Sequence, residues 1–554
     1  MSAKNNNTNK YGSKKKSQTQ GMTTAQSLSD YFVKGVMLVY VFFMVVLYPL
    51  LYHDKYFDMG AAKYQIFKWS AIVGLGVMTV IWIIWMLSFK DKLKPEEELK
   101  HLSLTDYFAI GFLFISILSY LLSSDRTMAL WGYEGWFMGV MSQLFFILAY
   151  FYVSRFWDYS KATIVCMVGA AAICYQIGIL QRFGFNPLGL YDGVGVADIE
   201  KFLSTLGQTS WYSSYAILIV PFGMYFYWTT ENIKVRVATG IFTALGFGML
   251  CTTNSDSAYV AMVLILMVFF RYSLESNDKM KRFLEISIIG VFAMRVIGWM
   301  YALFPERQRT YTTGDEKISK FVTSSTAMLI LLIALLAAYA LFWVITNKPK
   351  DKEKTAFDIS KYKTIIWRIT VVAAVLVIVG VAACVVLVTT GKMPEALSAL
   401  NGVSFFNFDM AWGNHRGFNW RAAWEAFTRA NGKDLLIGVG PDCFASAMDK
   451  YYAQEVADYW HGLQLACAHN EWLNMLVTEG ILGLAAYVGI FVTSIARASK
   501  YVKDEPVLVA LMAATLAYMG HNVFCYQQCI CTPEVFIFMA ITEMIIRSKK
   551  RGAE

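Results

Sequence analysis

The chain contains 554 residues, of which 57% are hydrophobic and only 16% are charged. A soluble globular protein carries about 25% charged residues, so the composition argues against a soluble fold. The formal net charge of +9 would fit a nucleic-acid-binding protein, but the basic residues cluster in tails and short loops. That distribution indicates membrane topology instead, and no nucleic-acid partner is predicted.

Apolar runs of about 20 residues recur along the chain, and each is long enough to cross a bilayer as an α-helix. A transmembrane β-barrel would show alternating segments of about ten residues instead. The sequence therefore predicts an all-α, polytopic membrane protein with about 14 transmembrane helices. In chain order, the predicted spans are 32–52, 65–88, 107–123, 136–154, 161–183, 210–229, 236–252, 257–271, 283–304, 324–346, 365–390, 470–497, 505–524 and 533–547.

Lys and Arg residues cluster in segments that fall on one side of the membrane if these spans alternate in direction. Basic loops face the cytoplasm, so we expect a cell-membrane protein with both termini cytoplasmic. The chain then divides into a basic cytoplasmic tail (1–30), eleven transmembrane helices (31–390), an extracytoplasmic loop (391–468), three further helices (469–547) and a short cytoplasmic tail (548–554).

The long loop 391–468 has the spacing of amphipathic helices and concentrates groups that bind anions or transfer protons. Its candidate residues are Arg416, Arg421, Arg429, His415 and His461, and His469 follows directly after it. A turn is predicted at Gly438-Val-Gly-Pro441. This short glycine motif does not predict a nucleotide site, because no strand precedes it.

Three segments could carry chemistry, and each also has an ordinary structural interpretation. His469, where the loop enters a span, can accept a proton from a hydroxyl, or it can cap the helix. Arg416, within 414–421, has a guanidinium that matches phosphate oxygens, or it can extend towards lipid headgroups. The segment 201–211 offers Lys201 and several hydroxyls, or it simply begins a helix with Thr209 or Ser210 as its cap.

The order and spacing of four motifs resemble the O-antigen ligase and polymerase superfamily of membrane glycosyltransferases. They are Ser204-Thr-Leu-Gly-Gln208, Arg416-Gly-Phe-Asn-Trp420, Gly438-Val-Gly-Pro441, and the run from His469-Asn470 to Leu484. The resemblance covers roughly residues 120–547 and implies a fold similar to the multi-helix, GT-C type of glycosyltransferase. It also implies transfer or polymerisation of a glycan from a polyprenyl-diphosphate-linked donor at the outer membrane face, without metal or cofactor.

The resemblance further implies roles for individual residues. His469 would assist the attacking hydroxyl of a glycan, lipid or protein acceptor, and Arg416 would hold the diphosphate. Lys201 stands where the family usually has an arginine. We expect binding of the diphosphate or glycan by Lys201, Arg421, Gln208, Glu471 and His521.

The chemistry is consistent with this assignment, because fixed cations stabilise the charge that develops on a departing diphosphate. No D-x-D motif, typical of metal-dependent transfer from sugar nucleotides, is found in an outer loop. The alternative is a secondary transporter or flippase of an amphiphilic substrate. That class favours inverted repeats and broken helices at matching positions of two halves, and neither pattern is apparent in the sequence.

Overall fold

The computed structural model describes residues 24–88, 101–253, 255–307, 317–347 and 357–553. Most of the predicted tail 1–30 therefore lies outside the described residues. The helices, in chain order, are α1 Thr24–Phe42, α2 Met59–Ser88, α3 Leu104–Leu122, α4 Arg126–Trp131, α5 Val140–Phe156, α6 Lys161–Arg182, α7 Val196–Ile199, α8 Thr209–Thr229, α9 Ile233–Leu250, α10 Asp256–Ser273, α11 Asn277–Leu303, α12 Lys317–Ser324, α13 Thr326–Thr346, α14 Lys363–Thr389, α15 Trp412–Arg429, α16 Lys433–Ile437, α17 Phe444–Tyr451, α18 Ala453–Trp460, α19 Glu471–Ala498, α20 Leu508–His521 and α21 Cys531–Ala553.

Strand structure in the described ranges is limited to one short antiparallel pair, β1 Phe202–Leu203 and β2 Gly207–Gln208. In its register Phe202 pairs with Gln208 and Leu203 with Gly207. The chain is thus all-helical in class, as the sequence predicts. A π-helix at Phe43–Leu47 and a 3₁₀ turn at Tyr48–Leu50 extend α1.

Every predicted span overlaps one of these helices, and ten helical segments in the described residues are long and apolar enough to cross a membrane. Two further apolar helices, α5 and α20, are shorter. The chain is therefore a multi-pass membrane protein by helix length and composition. The count of 14 and the orientation of the termini stay predictions.

Helix α14 illustrates why the bilayer is part of this fold. It runs for 27 residues, and none of them is buried inside the protein. Apolar side chains exposed over that length would be unfavourable in water, whereas in a bilayer a helix satisfies its own backbone and faces hydrocarbon.

The core lies where α19 packs on α3, α21 packs on α5, and α10 packs on α20. Large aromatic side chains fill it, among them the fully buried Tyr487, Phe491, Tyr518 and Phe536. Phe491 and Tyr518 stack with ring centroids 5.7 Å apart. Aromatic pairs of this kind add stability beyond their buried area, so α19 and α20 are held in a fixed relative position.

At one end of this bundle the charges are paired with one another. Asp106, in the first turn of α3, forms ion pairs with Arg155 (3.2 Å) and Arg547 (2.8 Å). Glu543 pairs with Arg547 (3.0 Å) and with Arg497 (2.7 Å) near the end of α19. We call these five residues the paired network.

The segment 391–468 carries helices α15 to α18, which form a small core of their own. Phe418 stacks on Tyr459 with centroids 3.9 Å apart, and the buried Phe444 and Met448 belong to the same cluster. Val477 of α19 also belongs to it, so apolar burial anchors this segment to α19 directly after His469.

Candidate active site

His469 is held in an unusual backbone conformation by its neighbours. Its φ angle is +50°, in the left-handed region, which a non-glycine residue adopts only when its surroundings require it. The next residue, Asn470, caps α19 by accepting a hydrogen bond from Leu473 N (3.0 Å). Asn474 accepts one from Ala468 N (3.2 Å). The motif His469-Asn470 is therefore a capped helix start that projects the imidazole ahead of α19.

The imidazole lies between two aromatic rings and is partly buried. Trp136 and Tyr526 contact it edge-on, with centroids 5.9 Å and 5.4 Å away. Neither ring nitrogen forms a hydrogen bond to any residue that the structure describes. Burial, and secondly the charge of Arg416, lower the pKa of His469 to about 4. His469 is therefore neutral at physiological pH and has a nitrogen lone pair free to accept a proton.

Arg416 follows a left-handed turn at the start of α15. Gly413, Asn414 and His415 have φ angles of 59°, 58° and 66°, and this turn allows Arg416 Nη1 to donate to Gly413 O (2.7 Å). Arg416 Nε donates to Phe524 O (3.2 Å), after α20. Within the described ranges no carboxylate forms an ion pair with Arg416, so its charge is available to an anionic ligand.

Glu471 is the centre of a buried hydrogen-bond network beside His469. Tyr487 OH (2.5 Å) and Tyr518 OH (3.0 Å) donate to it, and so does the Asn522 side-chain amide. Its backbone N donates to Asn522 O (2.9 Å). Because Glu471 is fully buried and has three donors, it joins the start of α19 to the end of α20.

His521 continues this network towards α8. Its Nδ1 lies 3.0 Å from Asn522 Oδ1, and its Nε2 lies 3.0 Å from Ser213 Oγ. Both ring nitrogens thus have protein partners, unlike those of His469. The structure brings His521 to the same helix ends as Glu471 but does not leave its ring free.

Gln208 reaches the site through one intervening residue. Tyr526 OH donates to Gln208 Oε1 (2.6 Å) and lies 3.2 Å from Trp211 Nε1. Because Tyr526 also contacts the His469 ring, Gln208 lies one side chain away from the imidazole.

The side chains of two predicted site residues form no hydrogen bond or ion pair with those of His469, Arg416, Glu471, His521 or Gln208. Lys201 is exposed and pairs with Asp198 (2.8 Å), three residues earlier. Arg421 is exposed on α15 and has no hydrogen bond or ion pair with any residue that the structure describes. Their predicted binding roles gain no support from the geometry.

The glycine motif at 438–441 has a structural role that its sequence did not predict. Gly438 has a φ angle of +74°, and a Cβ there would collide with the Thr478 carbonyl. Gly440 N donates to that same carbonyl (3.1 Å). Gly480, at a kink in α19 with φ +69°, approaches Leu436 and Ile437 so closely that a Cβ would overlap their backbone. The glycines therefore allow two backbones to touch, which fixes the loop to α19.

Sequence reasoning missed two residues around the imidazole and the residue that positions one of them. Trp136 and Tyr526 come from segments far from His469 in sequence. Asp442 accepts hydrogen bonds from Tyr133 N and Met138 N, both 2.8 Å, and so closes the turn that holds Trp136. Burial raises the pKa of Asp442 to about 7. The one indication of this contact in the sequence is that Asp442 directly follows the turn predicted at Gly438-Val-Gly-Pro441.

A metal ion would need a group of ligating side chains. No group of three or more His, Cys, Asp or Glu residues that could hold one occurs in the part of the chain that the structure describes. Metal independence itself stays a prediction.

Comparison with known families adds an independent finding. Residues 318–488 match the family model for O-antigen ligase. The resemblance to the O-antigen ligase and polymerase superfamily is thereby confirmed. The O-antigen ligase match contains Arg416, His469 and Glu471, whereas Lys201, Gln208 and His521 lie outside it. No curated protein matches the chain.

Proposed function

We propose that this protein is a membrane glycosyltransferase that transfers or polymerises glycan from a polyprenyl-diphosphate-linked donor onto an acceptor hydroxyl at the outer membrane face. One observation carries the proposal. Among the described residues, the imidazole of His469 has no hydrogen-bond partner and Arg416 has no carboxylate partner, and the Arg416 charge is close enough to the imidazole to lower its pKa. The O-antigen ligase match includes both residues.

The reaction exchanges one carbon–oxygen bond for another. The acceptor oxygen bonds to the anomeric carbon while the bond from that carbon to the diphosphate oxygen breaks. His469 accepts the proton of the acceptor hydroxyl, and Arg416 stabilises the charge on the departing diphosphate. A sugar hydroxyl is too weak an acid to ionise at neutral pH, so proton removal during the attack lowers the barrier.

Donor binding would itself make His469 a better base. Part of the lowering of its pKa comes from the Arg416 charge. A diphosphate bound at Arg416 compensates that charge and thereby raises the pKa of His469 above its value in the free protein. Burial is the larger cause and persists, so the imidazole stays neutral at pH 7.

The other predicted residues are given different roles according to their hydrogen bonds and ion pairs in the structure. Gln208 Nε2 donates to none of the described residues, and we assign it to a glycan hydroxyl. Glu471 and His521 already have protein partners, so we assign them to positioning the helix ends around His469. The ion pair between Lys201 and Asp198 argues against a direct role for Lys201.

The direct test uses purified full-length protein in lipid nanodiscs with a polyprenyl-diphosphate glycan and an acceptor glycan. We expect release of the lipid diphosphate together with extension of the acceptor, unchanged by EDTA. A loss of activity on chelation that Mg²⁺ or Mn²⁺ restores would refute the metal-independent mechanism. In sealed proteoliposomes, passage of unreacted donor across the bilayer without transfer would instead favour the transporter alternative.

A further inference from the structure

Trp136 lies on a turn that several contacts hold in place. Its backbone N donates to Tyr133 O (3.0 Å), and the Asp442 carboxylate accepts hydrogen bonds from two backbone N–H groups that flank it, both at 2.8 Å. The next residue, Phe137, stacks on Tyr64 with ring centroids 4.3 Å apart. The turn therefore holds the Trp136 indole in a fixed position, so that binding at this ring requires little ordering of the protein.

Unlike Phe137, Trp136 stacks on no ring that the structure describes, and the residue is partly exposed. It contacts His469 and Tyr526 edge-on, with interplanar angles of 80° and 86°. The His469 and Tyr526 rings lie at 73° to each other, so the three rings meet nearly at right angles. We call them the aromatic corner. An edge-on contact covers less of an aromatic face than a stacked one, so part of the indole surface is open to a ligand.

Three polar groups at the aromatic corner have no partner among the described residues. They are Trp136 Nε1, Gln208 Nε2 and the imidazole of His469, and all three residues are partly exposed. Tyr526 holds Gln208 beside the corner by donating to its Oε1 (2.6 Å).

These unpartnered groups distinguish between two kinds of ligand. A hydrocarbon chain laid against the aromatic corner would remove the three polar groups from water without giving them hydrogen bonds, which is unfavourable. A sugar has C–H bonds that pack against the indole and also hydroxyls that bind the polar groups. The aromatic corner therefore favours carbohydrate over lipid.

The proposed reaction determines which sugar reaches the aromatic corner. A hydroxyl that gives its proton to His469 must come within roughly 2.6–3.2 Å of an imidazole nitrogen. The ring centroid of Trp136 is only 5.9 Å from that of His469, so the sugar that carries this hydroxyl can lie against the indole. The diphosphate of the donor is assigned to Arg416 instead. The acceptor is thus the substrate that Trp136 contacts.

We propose that Trp136 binds the acceptor sugar, with one face of a pyranose ring packed on its indole and a sugar hydroxyl bound by its Nε1 or by Gln208 Nε2. This inference rests on the proposed function, which supplies the acceptor and its hydroxyl. Trp136 is then a specificity-determining residue. It selects a cyclic sugar over an open-chain polyol, which has hydroxyls but no ring face.

The test measures sugar binding in the absence of donor. Full-length protein in nanodiscs is titrated with the methyl pyranosides of glucose, galactose, N-acetylglucosamine and rhamnose, and binding is detected by saturation-transfer difference NMR. We expect at least one pyranoside to bind, with the strongest saturation on the C–H protons of one ring face. Sorbitol, an open-chain polyol, should not bind.

Two substitutions at Trp136 separate the contribution of its ring from that of its N–H group. Trp136→Leu removes the aromatic face and should weaken binding of the pyranoside by about tenfold. Trp136→Phe keeps a ring and should weaken it by only about threefold, through the loss of one hydrogen bond. The matched control is Trp424→Leu, because Trp424 is 54% exposed in the predicted outer segment 391–468 and its ring contacts only Phe427 among the described residues. Thermal denaturation midpoints of all three variants distinguish lost binding from a folding defect.

Turnover provides a second measurement that a purely structural role of Trp136 would not reproduce. At a saturating concentration of the lipid-linked donor, Trp136→Leu should raise the KM for the acceptor by about tenfold and leave donor binding unchanged. Trp136→Phe should restore part of the loss, and Trp424→Leu should match the wild type.

Several results would overturn the assignment of Trp136 to the acceptor sugar. These are no binding of any pyranoside, equal binding of sorbitol, wild-type affinity in Trp136→Leu, or the same loss in Trp424→Leu. Lost donor binding in Trp136→Leu would also overturn it, because the indole would then contact the sugar of the donor. The proposed function would survive these results if transfer from the glycan donor continued. Conversely, pyranoside binding that depends on Trp136 in a protein that transfers no glycan would refute the proposed function and uphold the sugar site.

Discussion

Helix α19 joins two sets of ionisable side chains that differ in whether they have protein partners. Its 28 residues correspond to about 42 Å of helix measured along the two parts on either side of the Gly480 kink. Near its end Arg497 belongs to the paired network, in which each charge has an opposite charge within 3.2 Å. Before its start, Arg416 and His469 have no such partners among the described residues.

The difference indicates what each end does. A buried charge that is already paired is not available to bind a ligand. Removing one member of the pair leaves the other charge buried without a partner, which is destabilising. Arg416 has no carboxylate partner and the His469 ring has no hydrogen bond among the described residues, so both are available to a bound ligand. We therefore expect substitutions at the paired end to change stability and substitutions at the unpaired end to change transfer.

The largest effect is expected for His469→Ala. Loss of a general base usually costs about 10²–10⁴-fold in rate, and donor binding should stay near wild type because Arg416 is retained. The measurement combines lipid-donor binding and transfer rate on the same purified variant.

The control for this variant is His461→Ala, since His461 is exposed after α18 and should matter little. Normal transfer by His469→Ala would eliminate the general-base role. Lost donor binding would instead assign His469 to holding the diphosphate.

The paired end gives the next largest effect, on stability. Arg547 bridges Asp106 and Glu543, so Arg547→Met should cost about 3 kcal/mol of folding stability. This would appear as a lower thermal denaturation midpoint in nanodiscs, with unchanged transfer per folded molecule. Arg126→Met, at an exposed position, is the control. An unchanged denaturation midpoint together with reduced transfer would mean that the paired network acts in transfer and not in stability.

Arg416→Ala should lower turnover by about 10²-fold, as expected when a fixed charge is removed from a reaction site. Arg416→Lys should restore only part of the loss, because lysine lacks the planar fork. Arg421→Ala, on the same helix, serves as the comparison and should have a smaller effect. If Arg421→Ala were severely impaired and Arg416→Ala normal, the diphosphate contact would belong to Arg421.

Much of this fold could be predicted because the bilayer imposes a simple rule on the sequence. Apolar runs such as 365–390 become helices whether or not they contact the rest of the protein, as α14 does. The start of α19 was also predictable, since Asn470 is a helix-capping residue type followed by an apolar run.

The site was less predictable, because its parts meet only in three dimensions. Trp136 and Tyr526 flank His469 from opposite ends of the sequence, and no local pattern marks either residue. The glycines at 438 and 440 predicted a turn, but their close contact with the α19 backbone depends on a kink at Gly480. The resemblance to the family predicts a binding cation at Lys201, whereas in the structure Lys201 pairs with Asp198, three residues earlier.

The pH dependence should distinguish the free protein from the donor complex. The neutral form of His469 is the active one, so rates fall as pH drops through its pKa. In the free protein that pKa is about 4, and the acid limb of kcat/KM should lie there. The limb of kcat should lie at higher pH, because bound diphosphate compensates Arg416. In Arg416→Ala the limb of kcat/KM should also move up. If the acid limb of kcat/KM in His469→Ala were the same as in the wild type, the titrating group would belong to the donor and not to His469.

The smallest effect is expected for Lys201. Its ammonium group already pairs with Asp198, and both side chains are more than half exposed, 61% and 53%. An exposed pair of this kind contributes about 0–1 kcal/mol, so Lys201→Met should change transfer by less than about fivefold. Asp198→Asn distinguishes binding of the diphosphate by Lys201 from a mere surface ion pair, because it removes the partner of Lys201 and keeps the ammonium group. If Lys201 binds the diphosphate, Asp198→Asn should tighten donor binding and Lys201→Met should weaken it. If the pair is only a surface contact, both variants should bind donor as the wild type does, and the diphosphate contact must then be sought at Arg416.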